Sequence, residues 1–545
     1  MQHAMGSKMP NLTLITDDST REMQFYHGST ARELLDAAGI RIRSGCRGNG
    51  ACGLCLVQIV AGSANLPTKN ERLILSPEQI ERSIRLACQL IPEKDLCIRI
   101  INMVSKSGWW DLSPDKLPCT PSHLHPKTCV QFPRIAYGLA VDLGTTHINL
   151  SLWDLKHGHR VSSRIGMNPQ SYYGMDVVTR LIAAGQSPEN AHSIACMTLD
   201  AVHEGLMDLC SRGGFGLRNV CEVTIVGNTT MLVLLTETDP HILLNPHLWT
   251  QPIECKLDKP QTWVNILEIH QQANVNVISP LAGFLGSDLL AGVLATQLMD
   301  HPGGLLIDFG TNSEMALWDG KKLWVTSAAG GPAFESCQIQ CGMPAEEGSI
   351  YRVEDWKQDS TQMHFHVIGG GEAIGLCGSG LVDLIAVLRR NGCLTRTGKF
   401  AMSHLKDGFI IQQGSRTIRL TPVDVDMIQR AKAAIGAGVK TLLTMAQMST
   451  AELNCIYVCG AFGQHLNIPN AQAIGLLPDI SSKRVELCGN TALAGCERLL
   501  MSPTGATDLL SLRSRATVIN LSGVSDFDSM FMENLFLQPM KVDET

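Results

Sequence analysis

The chain has 545 residues, of which 44% are hydrophobic and 17% are charged, and its formal net charge is −7. This balance excludes an intrinsically disordered chain, and the length predicts several domains. The lack of a basic excess argues against nucleic acid as a partner. No apolar run reaches the ~18 residues of a membrane span, and the first residues lack the apolar core of a signal peptide. We therefore expect a cytoplasmic protein with no membrane partner.

The first predicted domain covers residues 10–104. Its segments NLTLIT and REMQFYH predict two strands. STARELLDAAGI predicts a helix that begins near Ser29 and ends at Gly39. After a cysteine-rich loop, LVQIVAG predicts a strand, SPEQIERSIRLACQL predicts a helix opened by Ser76 and Pro77, and DLCIRII predicts a closing strand. This order indicates a compact α/β unit.

The cysteine-rich loop, CRGNGACGLC at residues 46–55, has the spacing Cys46-x5-Cys52-x2-Cys55, and Cys88 follows after 32 further residues. Four thiolates can hold a [2Fe–2S] cluster, and the loop's glycines let backbone N–H groups approach the sulfurs. The first gap is one residue longer than in plant-type ferredoxins. It resembles the gap of adrenodoxin-like and related bacterial ferredoxins. Zinc bound by the four cysteines, or four free cysteines, are alternatives that the long glycine loop disfavours.

Residues 105–135 contain five prolines and little periodicity, which predicts a linker. The proline content indicates a semi-stiff spacer rather than a flexible one. From residue 136 to about residue 500, predicted strands alternate with helices. This alternation is typical of a parallel or mixed sheet with helices on its faces.

Two similar loops occur in this third region. Asp142-Leu-Gly-Thr-Thr146 and, 166 residues later, Asp308-Phe-Gly-Thr-Asn312 each follow an apolar strand. Such turns offer backbone N–H groups and hydroxyls to phosphate oxygens, and each aspartate is a candidate Mg²⁺ ligand. The repeat predicts two related lobes around a shared cleft, with the second lobe beginning near residue 303. A third loop, VCGAFG at residues 458–463, is expected on the adenosine side of a bound nucleotide.

These three loops resemble those of the acetate kinase, sugar kinase, heat-shock-70 and actin (ASKHA) superfamily, which implies a two-lobed, ribonuclease H-like ATPase fold. Four further stretches narrow the resemblance: VGNTTM at 226–231, SAAGGPAFE at 327–335, LCGSG at 376–380 and IGLLP at 474–478. Joined to an N-terminal β-grasp [2Fe–2S] domain, they make residues 10–500 similar to the ATP-dependent reductive activators of corrinoid proteins. Some members carry an extra small domain where this chain has about thirty linker residues. Others carry a C-terminal [4Fe–4S] region, whereas no cysteine follows Cys496 here, and residues 501–545 remain an unassigned tail.

The resemblance implies that ATP drives the one-electron reduction of inactive Co(II) to Co(I) in the corrinoid protein of a methyltransferase system. The cluster would pass on an electron from a low-potential ferredoxin, flavodoxin or reductase, and a homodimer is compatible with the family. Asp142 and Asp308 would act at the phosphates. Ser327 is a candidate contact to the corrinoid, with a buried turn serine as the alternative, and Glu335 is a candidate to orient water or Mg²⁺, with a helix cap as the alternative. The other expected nucleotide-binding residues are Gly144, Thr145, Thr146, Gly310, Thr311, Asn312, Gly378, Ser379, Gly380, Gly460, Phe462 and Gly463. The expected cluster ligands are Cys46, Cys52, Cys55 and Cys88.

Three other functions fit parts of the sequence. One is an ATP-gated electron donor to another low-potential enzyme, although such donors usually share a [4Fe–4S] cluster between two subunits. The second is a small-molecule kinase with a redox-sensing ferredoxin domain, which would turn over its substrate without a corrinoid protein. The third is a redox-regulated binding protein, which would bind nucleotide without transferring electrons.

Overall fold

The computed structural model describes residues 9–15, 20–38, 40, 50, 55–101, 109–112, 124–127, 135–174, 176–310, 312–330, 332–335, 339–354, 363–402, 406–412, 417–460, 462 and 465–540. Four expected site residues lie outside these ranges: Cys46, Cys52, Thr311 and Gly463. None of the helices in the described part of the chain combines the length and the apolar character that crossing a membrane requires.

The described residues of the N-terminal domain form five strands and three short helices. In chain order they are β1 (Asn11–Ile15), β2 (Thr20–Gln24), α1 (Ala31–Ala37), β3 (Leu56–Ala64), α2 (Lys69–Ile74), α3 (Pro77–Glu81), β4 (Ile84–Leu86) and β5 (Pro92–Ile100). The sheet order is β2-β1-β5-β3-β4, with β1 parallel to β5 and the other pairs antiparallel. Alternate strand residues such as Leu12, Leu14 and Ile98 fill the core with Leu35 of α1. The predicted α/β unit is confirmed.

The segment 76–90 does not form the single long helix that the sequence predicts. Ser76 caps a helix that begins at Pro77, but this helix ends at Glu81. Ser83 then has a positive φ of 59°, which lies outside the right-handed helical region. The chain continues as β4, antiparallel to β3. Cys88 therefore follows a strand, and the prediction of one helix over residues 76–90 was wrong.

The first lobe is a six-stranded sheet with helices on its faces. Its elements are β6 (Trp109–Asp111), β7 (Tyr137–Leu143), β8 (His147–Asp154), β9 (His159–Met167), α4 (Val177–Gly185), α5 (Pro188–Gly213), β10 (Val220–Gly227), α6 (Thr229–Leu235), α7 (His241–Leu244), α8 (Pro260–Ile266), β11 (Asn274–Val277) and α9 (Ser287–Thr296). The strand order is β11-β10-β7-β8-β9-β6. Strands β7, β8 and β9 are antiparallel neighbours, whereas β10 runs parallel to both β7 and β11.

The second lobe contains another six-stranded sheet and two smaller ones. Its elements are β12 (Gly304–Phe309), β13 (Ser313–Trp318), β14 (Leu323–Ala328), β15 (Ser349–Val353), β16 (Phe365–Val367), β17 (Gly375–Leu376), α10 (Gly378–Arg390), β18 (Phe409–Gln412), β19 (Ile418–Leu420), α11 (Pro422–Ala446), β20 (Cys455–Gly460), α12 (Ile468–Ala473), β21 (Val485–Gly489), α13 (Thr491–Met501), α14 (Gly505–Arg515), β22 (Ala516–Val518) and α15 (Phe527–Asn534). The large sheet has the order β21-β20-β12-β13-β14-β22.

The two large sheets share one topology. In each, an antiparallel meander of three strands is followed by two parallel strands added beside its first strand, and an extra strand closes the far edge. Helices α9 and α13 cross so closely that a Cβ on Gly495 would lie 2.0 Å from the Ala291 carbonyl oxygen. This duplicated arrangement confirms the two-lobed α/β fold, and it places the two aspartate loops after β7 and β12.

Two stretches of the predicted linker contact the first lobe. Strand β6 pairs with β9, and the Trp109 ring packs so closely on Gly166 and Gly205 that a Cβ on either would approach it within 2.8 Å. Farther along, Leu124 N donates to Gly158 O at 2.6 Å, and Lys127 N donates to Leu155 O at 2.8 Å. The C-terminal tail also packs on the fold, since β22 pairs with β14 and α15 lies on α11.

Candidate functional site

Two of the four expected cluster cysteines are described, and the fold brings them together. Cys55 precedes β3 and Cys88 follows β4, and the pairing of these strands places the two Sγ atoms 3.4 Å apart. Both side chains are buried. The hydrogen bond from Cys55 lowers the pKa of Cys88 to about 6, although burial opposes the shift. Because thiolates are the ligands of iron, two adjacent thiols, one of them with a lowered pKa, fit a cluster site.

A buried ion pair supports this pair of cysteines, and sequence reasoning missed it. Arg85 donates from Nε and Nη2 to the two carboxylate oxygens of Glu71, each at 2.8 Å, and Leu86 N donates to Glu71 Oε1 at 2.9 Å. The carboxylate thus fixes β4 two residues before Cys88. On the other side, Gly50 has a φ of +71° and lies so close to Gln89 that a Cβ would be 2.8 Å from the Gln89 Cδ atom. Gly50 therefore lies against the residue next to Cys88.

The first aspartate loop, residues 142–146, is a tight turn between β7 and β8, and three side chains bind its backbone or hydroxyl oxygens. Gly144 N donates to His147 O at 2.9 Å and closes the turn. Asn168 donates to Gly144 O at 2.8 Å and Arg180 donates to Thr145 O at 2.8 Å. Asn228 donates to Thr145 Oγ1 at 3.0 Å. Since the carbonyl groups of the loop are engaged, its conformation is set before any ligand binds.

Asp142, at the end of β7, lies in a buried polar cluster. Asn149 and Asn490 each donate to Asp142 Oδ2 at 2.9 Å, and burial raises the pKa of Asp142. Burial together with the nearby charge of Asp142 raises the pKa of Asp288 to about 7. Asp288 and Asn490 were missed by sequence reasoning. The available signal was a glycine followed by polar residues at each helix start, GSD before α9 and GNT before α13.

The second aspartate loop, which begins at Asp308, lies beside the glycine loop that ends β20. Gly310 N donates to Asn312 O at 3.1 Å. The parallel pairing of β12 with β20 sets Phe309 opposite Gly460. Gly460 has a φ of +82°, and a Cβ there would lie 2.3 Å from both Asp308 Oδ1 and the Phe309 carbonyl oxygen. Gly460 is therefore a position where only glycine lets the two loops meet.

The sheet register also connects the two aspartate loops. Cys459 pairs with Asp308 in β12 on one side and with Gly489 in β21 on the other. The next residue, Asn490, bonds to Asp142 of the first lobe. The turn before α13 thus bridges the predicted cleft, which the two isolated loop sequences did not reveal.

Phe462, Gly378 and Ser379 line one small pocket next to these loops. The Phe462 ring is buried and lies 4.8 Å from that of Phe309 and 5.4 Å from that of Phe334. A Cβ on Gly378 would be 2.1 Å from Phe334 O, and one on Gly380 would be 2.1 Å from Ile350 O. These two glycines therefore let α10 begin close against its neighbours. Ser379 lines the pocket while its hydroxyl donates to Tyr351 O at 2.9 Å.

Ser327 lies in a row of residues that leads to Asp308. Glu314 of β13 pairs with Asp308 on one side and with Ser327 of β14 on the other. Residues paired in this way share a face of the sheet, and neighbouring strands are about 4.8 Å apart. Ser327 thus stands roughly two strand spacings, about 10 Å, from Asp308. The side chain of Glu335 lies outside the described part of the structure.

Comparison with known proteins agrees with this architecture. Three protein-family models match the chain. Residues 303–545 match the family described as "C-terminal domain of RACo the ASKHA domain", and residues 137–301 match the family described as "RACo middle region". Residues 15–93 match the family of 2Fe-2S iron-sulfur cluster binding domains. The protein is similar to the corrinoid activation enzyme RamQ of Eubacterium limosum, with 31% identity over 73% of this chain and 70% of the relative. It is also similar to the [Co(II) methylated amine-specific corrinoid protein] reductase of Methanosarcina barkeri, with 25% identity over 71% and 74% of the two chains.

A solved structure, the reductive activator for corrinoid, iron-sulfur protein, matches 98% of this chain and 99% of its own with a TM-score of 0.65 and 27% identity. The fold and the site define a [2Fe–2S] domain joined to an ASKHA-type ATPase. The chain belongs to the family of ATP-dependent reductive activators of corrinoid proteins.

Proposed function

We propose that this protein uses ATP to return one electron to the Co(II) centre of a corrinoid protein that serves a methyltransferase, and so restores the active Co(I) form. The observation that carries the proposal is the fusion, in one chain, of a paired-thiol cluster site with a two-lobed ATPase fold. Two relatives and the similar solved structure are named for the activation or reduction of corrinoid proteins. A kinase or an unrelated electron donor would leave this shared combination unexplained.

Cys46, Cys52, Cys55 and Cys88 are proposed to hold the [2Fe–2S] cluster, which when bound supplies the single electron. The lowered pKa of Cys88 and its contact with Cys55 support this assignment. The electron would come from a small low-potential carrier such as a ferredoxin, a flavodoxin or a reductase. The homodimer that the family allows is tested by measuring the mass of the purified protein in solution.

For the nucleotide, we assign Gly144, Thr145 and Thr146 to one phosphate loop and Gly310, Thr311 and Asn312 to the other. Backbone N–H groups in such turns bind phosphate oxygens. Asp142 and Asp308 are proposed to hold Mg²⁺ directly or through water, as carboxylates at phosphate sites do. Gly460, Phe462 and Gly463 would face the adenosine, with Gly378, Ser379 and Gly380 forming the adjoining wall.

The coupling of ATP to the corrinoid is proposed to run through the second lobe. Ser327 would contact the corrinoid, and its row with Glu314 and Asp308 joins this contact to the phosphate loop. A nucleotide that moves Asp308 would shift the strand that carries Ser327. Such a shift can bias the equilibrium between docked and released partner only if the two states bind the nucleotide differently.

The test is an anaerobic reduction assay with a purified Co(II) corrinoid protein and a low-potential reductant. Co(I) absorption should appear with ATP and not without it. Cys88→Ser should abolish this activity, whereas Cys97→Ser, a matched change in the same domain outside the proposed ligand set, should retain it. ATP hydrolysis without Co(I) formation, across several corrinoid partners, would contradict the proposal.

A further inference from the structure

The β8–β9 hairpin carries a cluster of metal-ligating side chains that the proposed function does not use. Asp154, His157 and His159 each place one candidate ligand atom within 4.8 Å of the others. The hairpin lies at the end of β8 opposite the first aspartate loop, since His147 begins the strand and Asp154 ends it. At about 3.3 Å per residue, seven steps along β8 put the cluster roughly 23 Å from the loop at residues 142–146. It is therefore a separate site.

The local backbone already holds the carboxylate in place. Asp154 Oδ1 accepts hydrogen bonds from the N–H groups of Lys156 and His157, both at 2.9 Å. The second oxygen, Oδ2, lies 2.9 Å from His157 Nδ1. His159 is the strand partner of Asp154 across the hairpin. The turn thus fixes Oδ1 of Asp154 and directs Oδ2 towards the imidazole of His157. The His157 side chain is 73% exposed to solvent, so an ion could reach it.

A second observation comes from the chain segment that crosses this hairpin. Leu124 N donates to Gly158 O at 2.6 Å, and a Cβ on Gly158 would lie 2.0 Å from Leu124 O and 3.1 Å from Pro126 N. His125, which is exposed, stands between these two contacting residues. A segment distant in sequence therefore holds the tip of this hairpin in place, and its own histidine lies beside the hairpin but outside the group of three.

We propose that Asp154, His157 and His159 bind one divalent transition-metal ion of the zinc class. Two imidazoles and one carboxylate form a ligand set that suits Zn²⁺ and Ni²⁺ rather than Mg²⁺ or Ca²⁺. Ligand bonds of about 2.0–2.1 Å in a tetrahedral site hold neighbouring ligand atoms about 3.3 Å apart. The present Asp154–His157 separation of 2.9 Å needs only a small opening to admit the ion. The ion would hold the two strand ends of the hairpin together, because its three ligands come from both sides of the turn.

The test titrates ZnCl₂ into the purified, cluster-loaded protein by calorimetry under anaerobic conditions. The visible absorption of the cluster is followed in parallel, so that zinc replacing iron is detected and excluded. We expect one saturable site per chain, weakened at least tenfold by His157→Ala. Asp154→Asn, which keeps the Oδ1 acceptor of the turn but removes the charge, should weaken it as well. His247→Ala, at an exposed histidine outside the cluster, should leave it unchanged.

A second readout is thermal stability, because an ion that binds only the folded chain raises its melting temperature. Zinc should raise the Tm of the wild type and of His247→Ala but not that of His157→Ala. Equal zinc affinity in the wild type and both cluster variants would overturn the proposal. So would the absence of any saturable zinc binding while the cluster stays intact.

Discussion

Replacing Gly460 by alanine isolates the contact between the second aspartate loop and the glycine loop after β20. Gly460 has a φ of +82°, and the new Cβ would lie 2.3 Å from Asp308 Oδ1 and from Phe309 O. The left-handed conformation alone costs a non-glycine residue about 1–2 kcal/mol. Restoring an ordinary carbon–oxygen contact of about 3.4 Å requires a displacement of roughly 1 Å. A 1 Å misplacement in a catalytic site can lower the rate on the order of 100-fold.

We therefore expect Gly460→Ala to hydrolyse MgATP about 100-fold more slowly than the wild type, as measured by phosphate release. The matched control is Gly392→Ala, in the same lobe, at a glycine with a φ of +70° and no atom within 4 Å of the added Cβ. This control carries the same conformational strain without touching Asp308. Its melting temperature should fall while its ATPase rate stays near that of the wild type. Wild-type ATPase activity in Gly460→Ala would refute the placement of Asp308 at the nucleotide.

Three further changes test other parts of the structure. Asn490→Ser keeps a helix cap but removes the amide that donates to Asp142. A hydrogen bond to a charged group contributes about 1.5–3 kcal/mol, so the affinity for MgATP should fall about 10–100-fold. An unchanged affinity, measured by equilibrium dialysis, would contradict this role of Asn490. Glu71→Gln leaves Arg85 buried without its ion partner and should destabilise the N-terminal domain by about 3–5 kcal/mol. The purified variant should therefore contain less bound iron than the wild type. A full iron content and an unchanged melting curve would contradict the role of this ion pair. Burial lowers the pKa of Lys432 to about 7 in the folded protein, whereas an ordinary lysine in the unfolded chain has a pKa of about 10.4. Between about pH 7 and pH 10.4 the unfolded chain therefore binds more protons than the folded one, and the free energy of unfolding rises with pH. Lys432→Met should flatten that rise in chemical denaturation, and an identical pH slope in wild type and variant would show that the lysine is not the cause.

The duplicated lobe was predictable from sequence because two aspartate loops recur after apolar strands. The ends of β7 and β12 were predictable because the apolar runs of these strands end at Leu143 and Phe309. A strand of the N-terminal domain was not predictable, since residues 76–90 have a good cap at Ser76 and no proline or glycine to stop a helix. There the positive φ of Ser83 and the buried Glu71–Arg85 pair redirect the chain.

The loops of the candidate site were visible in the sequence, but the residues that join them were not. Asp288 and Asn490 are far apart in the chain, and each resembles an ordinary helix start. Only the crossing of α9 and α13 brings them to Asp142. The row from Asp308 through Glu314 to Ser327 likewise depends on strand register, which a local sequence pattern does not specify.

The most direct test of the account follows the cluster and the cobalt together by electron paramagnetic resonance. Protein with a pre-reduced cluster is mixed anaerobically with a Co(II) corrinoid protein, with no other reductant present. The account predicts that, after ATP is added, the reduced-cluster signal and the Co(II) signal decline together, one cluster electron for each cobalt, and that neither declines without ATP. Loss of the Co(II) signal without matching oxidation of the cluster, or at the same rate without ATP, would contradict it.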